Sequence, residues 1–141
     1  VETPAAAIMT PVLAKYVDFF SIGTNDLVQY TLAVDRGNAN ISYLYNHFNP
    51  AVLRLVQRTI SSARENGIWA GMCGEMASDP NAAVLLMAMG ISELSMSAPS
   101  IPRVKEKIRS ISSVKAKEIL ADVMAMEDGD DIRNYLQKIL G

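Results

Sequence analysis

The sequence predicts an α/β fold with a parallel sheet, on the basis of three observations. Short apolar segments at 16–22, 68–73 and 93–96 have the length and composition of buried strands. Stretches with the periodicity of helices separate these segments, and polar or glycine-containing residues follow each of them. Strands that alternate with helices indicate parallel pairing with right-handed crossover connections.

The first part of the chain predicts a helix, a strand and a second helix. Thr3 is a good N-cap and Pro4 suits the first helical position, so a helix is expected to begin there. Pro11 lacks a backbone N–H and therefore predicts a break or a second start near it. After the first strand, the apolar residues of 27–34 predict a short helix, which a polar loop follows as far as Pro50.

The second part predicts helices with clear start and stop signals. Residues 51–65 place their apolar side chains on one face, and Asn66-Gly67 closes this helix. Asp79 is expected to cap a helix over about 80–89. The remaining helices are predicted near 102–110 and, split at Asp128-Gly129, between 113 and 140.

Composition and charge place the chain among globular domains. It has 141 residues, 50% of them hydrophobic, and a net charge of −2. Such a chain is too apolar for general disorder, and it has no block of lysine and arginine for binding nucleic acid. No apolar stretch approaches the ~18 residues of a membrane span, and no signal peptide opens the chain. The single cysteine, Cys73, excludes an internal disulfide, so we expect a cytoplasmic protein.

Chain length leaves two architectures open. A complete (β/α)8 barrel needs about 250 residues, whereas this chain has room for roughly three or four βα units. It is therefore either a small open α/β domain or the C-terminal portion of a barrel. The second alternative predicts an incomplete sheet with exposed strand edges. Because the chain begins at Val1 with no initiator methionine, we expect further residues upstream.

Polar residues recur where the predicted strands end. They are Glu2, Asn25-Asp26, Cys73-Gly74-Glu75 and Met96-Ser97, and their separations each fit one βα unit, the middle one with an enlarged loop. Ligands bind at the C-terminal ends of parallel strands in both barrels and open sheets, so these positions predict one site. Helix caps and solvated turns remain the alternatives, because any α/β protein has polar loops of this kind.

Two carboxylates and an amide are candidates for binding a metal and an anion. Glu2 and Asp26 can supply the hard oxygen ligands that Mg²⁺ prefers. The alternative makes Asp26 a helix N-cap and Glu2 a surface residue. Asn25 can donate its amide to a phosphate or carboxylate, or can be a turn residue that tolerates left-handed geometry.

Three further residues could have a role in binding or catalysis, and each could instead have only a structural role. They are Arg36, Cys73 and His47. Arg36 lies in a loop, where it can clamp a phosphate or carboxylate or can simply be solvated. Cys73 can act as an acid or base, or can be an inert buried side chain. The only histidine, His47, has no acidic neighbours in sequence, so we expect a partly exposed loop imidazole and not a phosphate carrier.

Four motifs in order resemble the phosphoenolpyruvate-utilising enzymes. The run VDFFSIGTNDLVQYTLAVDRGN resembles the family signature, and VETPAA precedes it while AGMCGEMASDP and ELSMSAPSIPRVK follow. The resemblance covers about residues 1–110. The residues after Cys-Gly-Glu resemble most closely the members that start the bacterial sugar phosphotransferase system. The corresponding segment usually differs in pyruvate phosphate dikinase and phosphoenolpyruvate synthase, which remain the alternatives.

The resemblance implies a fold and a division of the chain. It implies a phosphoenolpyruvate-binding (β/α)8 barrel, of which residues 1–110 form the last βα units and 111–141 a helical tail. Earlier strands of the barrel would carry further arginines, and a separate domain would carry the phosphorylated histidine, which His47 does not match. We therefore expect this part of the protein to be inactive or nearly so by itself. A non-catalytic scaffold or dimerisation module remains an alternative.

The resemblance also implies roles for the candidate residues. Glu2 and Asp26 match the carboxylates that bind Mg²⁺, while Asn25, the backbone near Asp26, and Arg36 match positions that bind phosphoenolpyruvate. Cys73 matches the thiol that protonates the enolate as pyruvate forms, and a thiol is mostly protonated at neutral pH. The implied partners are a phosphocarrier protein, bound by a domain outside this chain, and a second copy in a homodimer, with no nucleic acid and no membrane.

Overall fold

A three-stranded parallel sheet is the centre of the fold. The computed structural model describes all of residues 1–141. The strands are β1 (Phe19–Gly23), β2 (Trp69–Cys73) and β3 (Glu93–Leu94), in the order β1-β2-β3. The prediction of an α/β fold with parallel strands is confirmed. The predicted bounds of two strands are wrong, because β1 begins three residues later than expected and β3 has only two residues.

Eight α-helices surround or follow the strands. They are α1 (Pro4–Leu13), α2 (Thr24–Leu32), α3 (Pro50–Glu65), α4 (Glu75–Ser78), α5 (Pro80–Met89), α6 (Ile101–Arg109), α7 (Ser113–Ala125) and α8 (Gly129–Leu140). Short 3-10 helices occupy Ser42–Leu44 and Ala98–Ser100. None of the helices is both long enough and apolar enough to cross a membrane.

Val1 extends the sheet beyond β1. Its backbone nitrogen donates to the Ser21 carbonyl, and its carbonyl accepts from the Gly23 N–H at 3.1 Å. Val1 thus bonds to Ser21 and to Gly23, the residues just before and just after Ile22. This is the hydrogen-bond pattern of parallel strands. Glu2 therefore directly follows a sheet-like position, as Thr24 follows β1.

Helix α1 runs through Pro11 without a break, so the predicted break is wrong. A proline at position 11 leaves the Ala7 carbonyl without its usual backbone donor. The Thr10 hydroxyl donates to that carbonyl at 2.8 Å and replaces the missing bond. The predicted start is confirmed, since the Thr3 side chain accepts from the Ala6 N–H and Pro4 is the first helical residue.

Local capping signals are confirmed along the rest of the chain. The Asp79 carboxylate accepts from the Asn81 and Ala82 N–H groups at the start of α5. Gly90, with φ of 93°, ends α5 in the left-handed conformation that glycine adopts without strain. The Asp128 carboxylate caps α8 in the same way as Asp79 caps α5.

One face of the sheet is buried in the hydrophobic core and the other is open. Phe20 and Ile22 of β1, with Ala70 and Met72 of β2, are buried in a cluster of 25 residues. That cluster includes residues of α3 and, from the last two helices, Ile119, Leu120, Val123, Ile132 and Leu136. Phe19 and Trp69 lie on the opposite face, where their rings stack at a centroid distance of 4.4 Å.

Candidate active site

The polar turns after β1 and β2 lie side by side at the C-terminal end of the sheet. Gly23 of β1 is the register partner of Cys73 of β2, so the residues that follow each strand emerge together. The Thr24 hydroxyl donates to the Cys73 carbonyl at 2.9 Å, and Thr24 is buried. The predicted convergence of these two loops on one edge of the sheet is therefore present in the structure.

Asn25 connects the two turns through its side chain. Its Oδ1 accepts from the Glu75 N–H at 3.0 Å. Because the amide oxygen faces Glu75, the two Nδ2 hydrogens remain available to an acceptor from outside the chain. Asn25 lies within helix α2, so the alternative of a left-handed turn residue is wrong.

Gly74 makes the close contact between the turns possible. It has φ of 98°, a conformation that residues with a Cβ rarely adopt. A Cβ on Gly74 would lie 2.5 Å from Thr24 Oγ1 and 2.9 Å from Asn25 Oδ1. Any larger residue would therefore separate the two turns.

Glu2 extends its carboxylate over the end of β1. A methyl group on Gly23 would overlap Oε1 of Glu2. The Glu2 carboxylate can therefore occupy this space only because residue 23 is a glycine. Gly23 projects to the same face of the sheet as Phe19, since alternate residues of a strand share a face. Cys73 is its register neighbour on β2 and projects to that face too.

Asp26 lies in the first turn of α2, which makes the helix N-cap alternative wrong. The N-cap position is Gly23, and no side chain accepts a capping hydrogen bond there. Asp26 is half-buried. A carboxylate in a first helical turn is stabilised by the helix dipole, without any need for a capping bond.

Glu2 and Asp26 are the carboxylates at these turns that could hold a hard cation. No group of three or more His, Cys, Asp or Glu side chains is placed to hold a metal ion. Glu2 and Asp26 provide two carboxylates at the ends of adjacent sheet positions, and Mg²⁺ commonly uses one or two protein carboxylates together with substrate oxygens and water. Two carboxylates are thus what this chain could contribute to such a cation, with the other ligands coming from substrate or water.

Tyr45 is a site residue that the sequence reasoning missed. Its hydroxyl donates to the Asn25 carbonyl at 3.2 Å. Burial and the negative charges of Glu75 and Asp26 raise the pKa of Tyr45, against the opposing effect of the Arg36 guanidinium. Nothing in the sequence distinguished Tyr45 from Tyr43, which lies in the same loop.

Arg36 and Cys73 are both accessible at this edge. Arg36 is exposed, and its backbone N–H donates to Gln29 Oε1 at 3.4 Å. The charge of its guanidinium acts to lower the pKa of the Tyr45 hydroxyl. Cys73 is an exposed free thiol, so the alternative of an inert buried cysteine is wrong.

Met96 and Ser97, which follow β3, make local contacts. Met96 lines a largely apolar cavity of about 350 Å³ together with Leu94 and Val104. The Ser97 hydroxyl lies 3.1 Å from the Ser100 hydroxyl. The structure therefore places these residues in the local packing around α6.

His47 is the partly exposed loop imidazole that the sequence predicts, and the structure gives it an acidic partner that is distant in sequence. Its Nε2 lies 3.4 Å from Oδ2 of Asp79. Burial raises the pKa of Asp79, but the adjacent His47 side chain and the hydrogen bonds from the Ala82 and Asn81 N–H groups outweigh that effect and lower the pKa. His47 therefore stabilises the capping carboxylate at the start of α5.

Comparison with protein families and curated proteins gives one consistent result. Residues 1–113 match the family described as PEP-utilising enzyme, PEP-binding domain, where PEP is phosphoenolpyruvate. The chain is 51% identical over 140 residues to the phosphoenolpyruvate-protein phosphotransferase of Buchnera aphidicola subsp. Acyrthosiphon pisum, covering 99% of this chain and 24% of that protein.

Two further relatives have the same printed name. The protein of Haemophilus influenzae is 57% identical over 122 residues, covering 86% of this chain and 21% of that protein. The protein of Geobacillus stearothermophilus is 46% identical over 138 residues, covering 98% of this chain and 24% of that protein. The chain thus spans about a quarter of the length of the curated relatives it matches.

Proposed function

The chain belongs to the family of phosphoenolpyruvate-utilising enzymes, and from this premise we propose that it is part of a phosphoenolpyruvate-protein phosphotransferase. The complete protein would move phosphoryl from phosphoenolpyruvate to one of its own histidines and on to a phosphocarrier protein for sugar uptake, releasing pyruvate. The names of the relatives support this reading over a dikinase or a synthase.

The proposed architecture is the C-terminal portion of a (β/α)8 barrel, with residues 1–110 as its last βα units and 111–141 as a tail. The parallel order β1-β2-β3 and the pairing of Val1 beside β1 support a sheet that continues past both of its ends. Strand β3 has no partner on its outer edge. A closed barrel would remove such open edges.

One observation supports the function most strongly, namely the joined turns at the C-terminal ends of β1 and β2. They bring the accessible Asn25 amide, the Asp26 carboxylate and the Cys73 thiol to one edge of a parallel sheet. That edge is where enzymes of this architecture bind their substrates.

Magnesium is the proposed cofactor, held by Glu2 and Asp26. When bound, the cation supplies positive charge that stabilises negative charge developing on the substrate oxygens. The chain contributes two carboxylates from neighbouring sheet positions, and the Glu2 carboxylate already occupies the space over Gly23.

The remaining residues bind the substrate and move a proton. The Asn25 amide would donate to an oxygen of phosphoenolpyruvate, and the Arg36 guanidinium would neutralise the phosphate. When the bond between phosphorus and the enol oxygen breaks, an enolate is left. The Cys73 thiol would give its proton to the methylene carbon, which completes pyruvate and leaves a thiolate that water reprotonates.

The partners and compartment are part of the same proposal. The phosphocarrier protein would bind a domain outside this chain, and the complete protein would be a cytoplasmic homodimer. Exposed apolar side chains on α1, among them Ile8, Met9 and Val12, support burial of this surface against another part of the protein or a second copy. The isolated chain would be inactive or nearly so, since further arginines are expected outside it.

The test uses the full-length protein, labelled phosphoenolpyruvate and Mg²⁺. Wild-type protein should become phosphorylated and release pyruvate. The Cys73→Ala variant should release pyruvate about 10²–10⁴-fold more slowly, which is the usual loss when a general acid is removed. A Ser97→Ala variant, altered in the loop after β3, should behave as wild type. Pyruvate release at the normal rate by Cys73→Ala would refute the role of the thiol.

A further inference from the structure

The loop that bears Arg36 is attached to the rest of the molecule mainly at its ends. We call residues 33–49 the Arg36 loop. Its middle is almost entirely exposed, and the side-chain hydrogen bonds there are local, such as Asp35 Oδ1 with the Gly37 N–H at 2.8 Å. At its start, the Arg36 N–H makes a long hydrogen bond of 3.4 Å to Gln29. The middle of the loop therefore has little to hold it in place.

Tyr45 is the residue that attaches the Arg36 loop to the candidate active site. The residues after it attach the end of the loop elsewhere, since Asn46 Nδ2 donates to Asp130 Oδ1 at 3.2 Å, His47 lies against Asp79 and Phe48 is buried. The Tyr45 ring packs against the hydrophobic core, and its hydroxyl donates to the Asn25 carbonyl at 3.2 Å. Asn25 is thereby held at two points, since its side-chain oxygen accepts from the Glu75 N–H. One hydroxyl thus connects the Arg36 loop to the two turns of the candidate active site.

We propose that Tyr45 is a positioning residue that sets the Arg36 loop over the turn after β1. By donating to the Asn25 carbonyl, it holds the Arg36 loop, and with it the Arg36 guanidinium, beside the turn after β1. Tyr45 itself would not touch the reacting atoms. This inference rests on the proposed function in one respect, namely that Arg36 binds the phosphate of phosphoenolpyruvate.

The first test is Tyr45→Phe in the full-length protein, which keeps the ring and removes the hydroxyl. The KM for phosphoenolpyruvate should rise about three- to tenfold, the scale of one hydrogen bond. The kcat should stay within about twofold, because Arg36 would bind the phosphate equally in the ground and transition states. Tyr43→Phe is the matched control, since Tyr43 is 78% exposed in the same loop. Equal KM values for the two variants would overturn the proposal.

A second test asks whether Tyr45 acts through Arg36. In an Arg36→Gln background, adding Tyr45→Phe should change KM by less than about twofold, because the group being positioned is already gone. Residues that act together show such non-additive effects. A full three- to tenfold rise in that background would mean that Tyr45 acts independently of Arg36, against the proposal.

A third readout does not depend on catalysis. Trypsin should cleave the bond after Arg36 several-fold faster in Tyr45→Phe than in wild type or Tyr43→Phe, with the melting temperature unchanged, because the loop has lost its hydrogen bond to the turn after β1. Cleavage at the same rate in all three proteins would overturn the positioning role even in an active enzyme. If the wild-type protein instead fails to use phosphoenolpyruvate, the proposed function fails while the cleavage rates still decide the role of Tyr45.

Discussion

The two ends of strands β1 and β2 differ in what they contribute to the protein. At the N-terminal end, Phe19 pairs in register with Trp69, and the two rings stack nearly in parallel with an interplanar angle of 8°. At the C-terminal end, Gly23 pairs with Cys73, and both project to the same face as the aromatic rings. Four residue-to-residue steps, or about 13 Å of strand, separate the aromatic end from the polar one.

This difference shows how one face of a sheet can serve two purposes. The aromatic pair needs only the two strands, because ring contacts stabilise cross-strand pairs directly. The polar end needs the turns after the strands, which the Asn25–Glu75 hydrogen bond joins. Changes at the polar end should therefore affect activity most, whereas changes at the aromatic end should affect stability alone.

The largest expected effect at the polar end comes from Asp26→Asn in the full-length protein. The change removes a negative charge from a proposed magnesium ligand while keeping the side-chain shape. The Mg²⁺ concentration needed for activity should rise at least about tenfold, and turnover should fall strongly. Stability without metal should fall by at most about 0.3–1 kcal/mol, the value of a charge in the first turn of a helix.

Asp131→Asn is the matched control for this variant. Asp131 also lies in the first turn of a helix, α8, so the same charge is removed from an equivalent helical position. Its stability should change by a similar amount, with no change in Mg²⁺ dependence. An Mg²⁺ titration of both variants decides the matter, and superimposable curves would return Asp26 to a purely structural role.

An intermediate effect is expected from Gly74→Ala, which would force the joined turns apart. The left-handed φ alone should cost about 1–3 kcal/mol. The new Cβ would also overlap Thr24 Oγ1 and Asn25 Oδ1, so both stability and activity should fall. Calorimetry and pyruvate release on the same samples measure the two losses.

Gly67→Ala separates the backbone effect from the overlap. Gly67 has φ of 70°, but a Cβ there would meet no atom within 4 Å. Its loss of stability should therefore be smaller than that of Gly74→Ala, and its activity should be normal. Equal losses of stability and activity in the two variants would show that the contact between the turns is unimportant.

The smallest expected effect is at the aromatic end. Trp69→Leu should lower stability by about 0.5–1.5 kcal/mol through loss of the ring stacking, with kcat and KM unchanged within about twofold. Phe19→Leu should have a similar effect, and the double variant should lose less than the sum. A marked fall in turnover in either single variant would show that the aromatic end contributes to activity as well as to stability.

The sequence could predict which residues lie at the candidate site where those residues directly follow a strand. Asn25 with Asp26, and Cys73 with Glu75, follow strand-like segments directly, so the pattern of apolar and polar residues locates them. The way they are joined was not predictable from that pattern. The Asn25–Glu75 hydrogen bond spans 50 residues and the Tyr45–Asn25 hydrogen bond spans 20, so each depends on how the strands pair.

The sequence alone determined the alternation of strands and helices and most of the helix ends. The caps at Thr3, Asp79 and Asp128 use hydrogen bonds to backbone groups two or three residues away, so the local sequence suffices. The tertiary structure decided where the distant partners meet. It placed His47 against Asp79 and Tyr45 against Asn25, because such contacts depend on elements packed together from different parts of the chain.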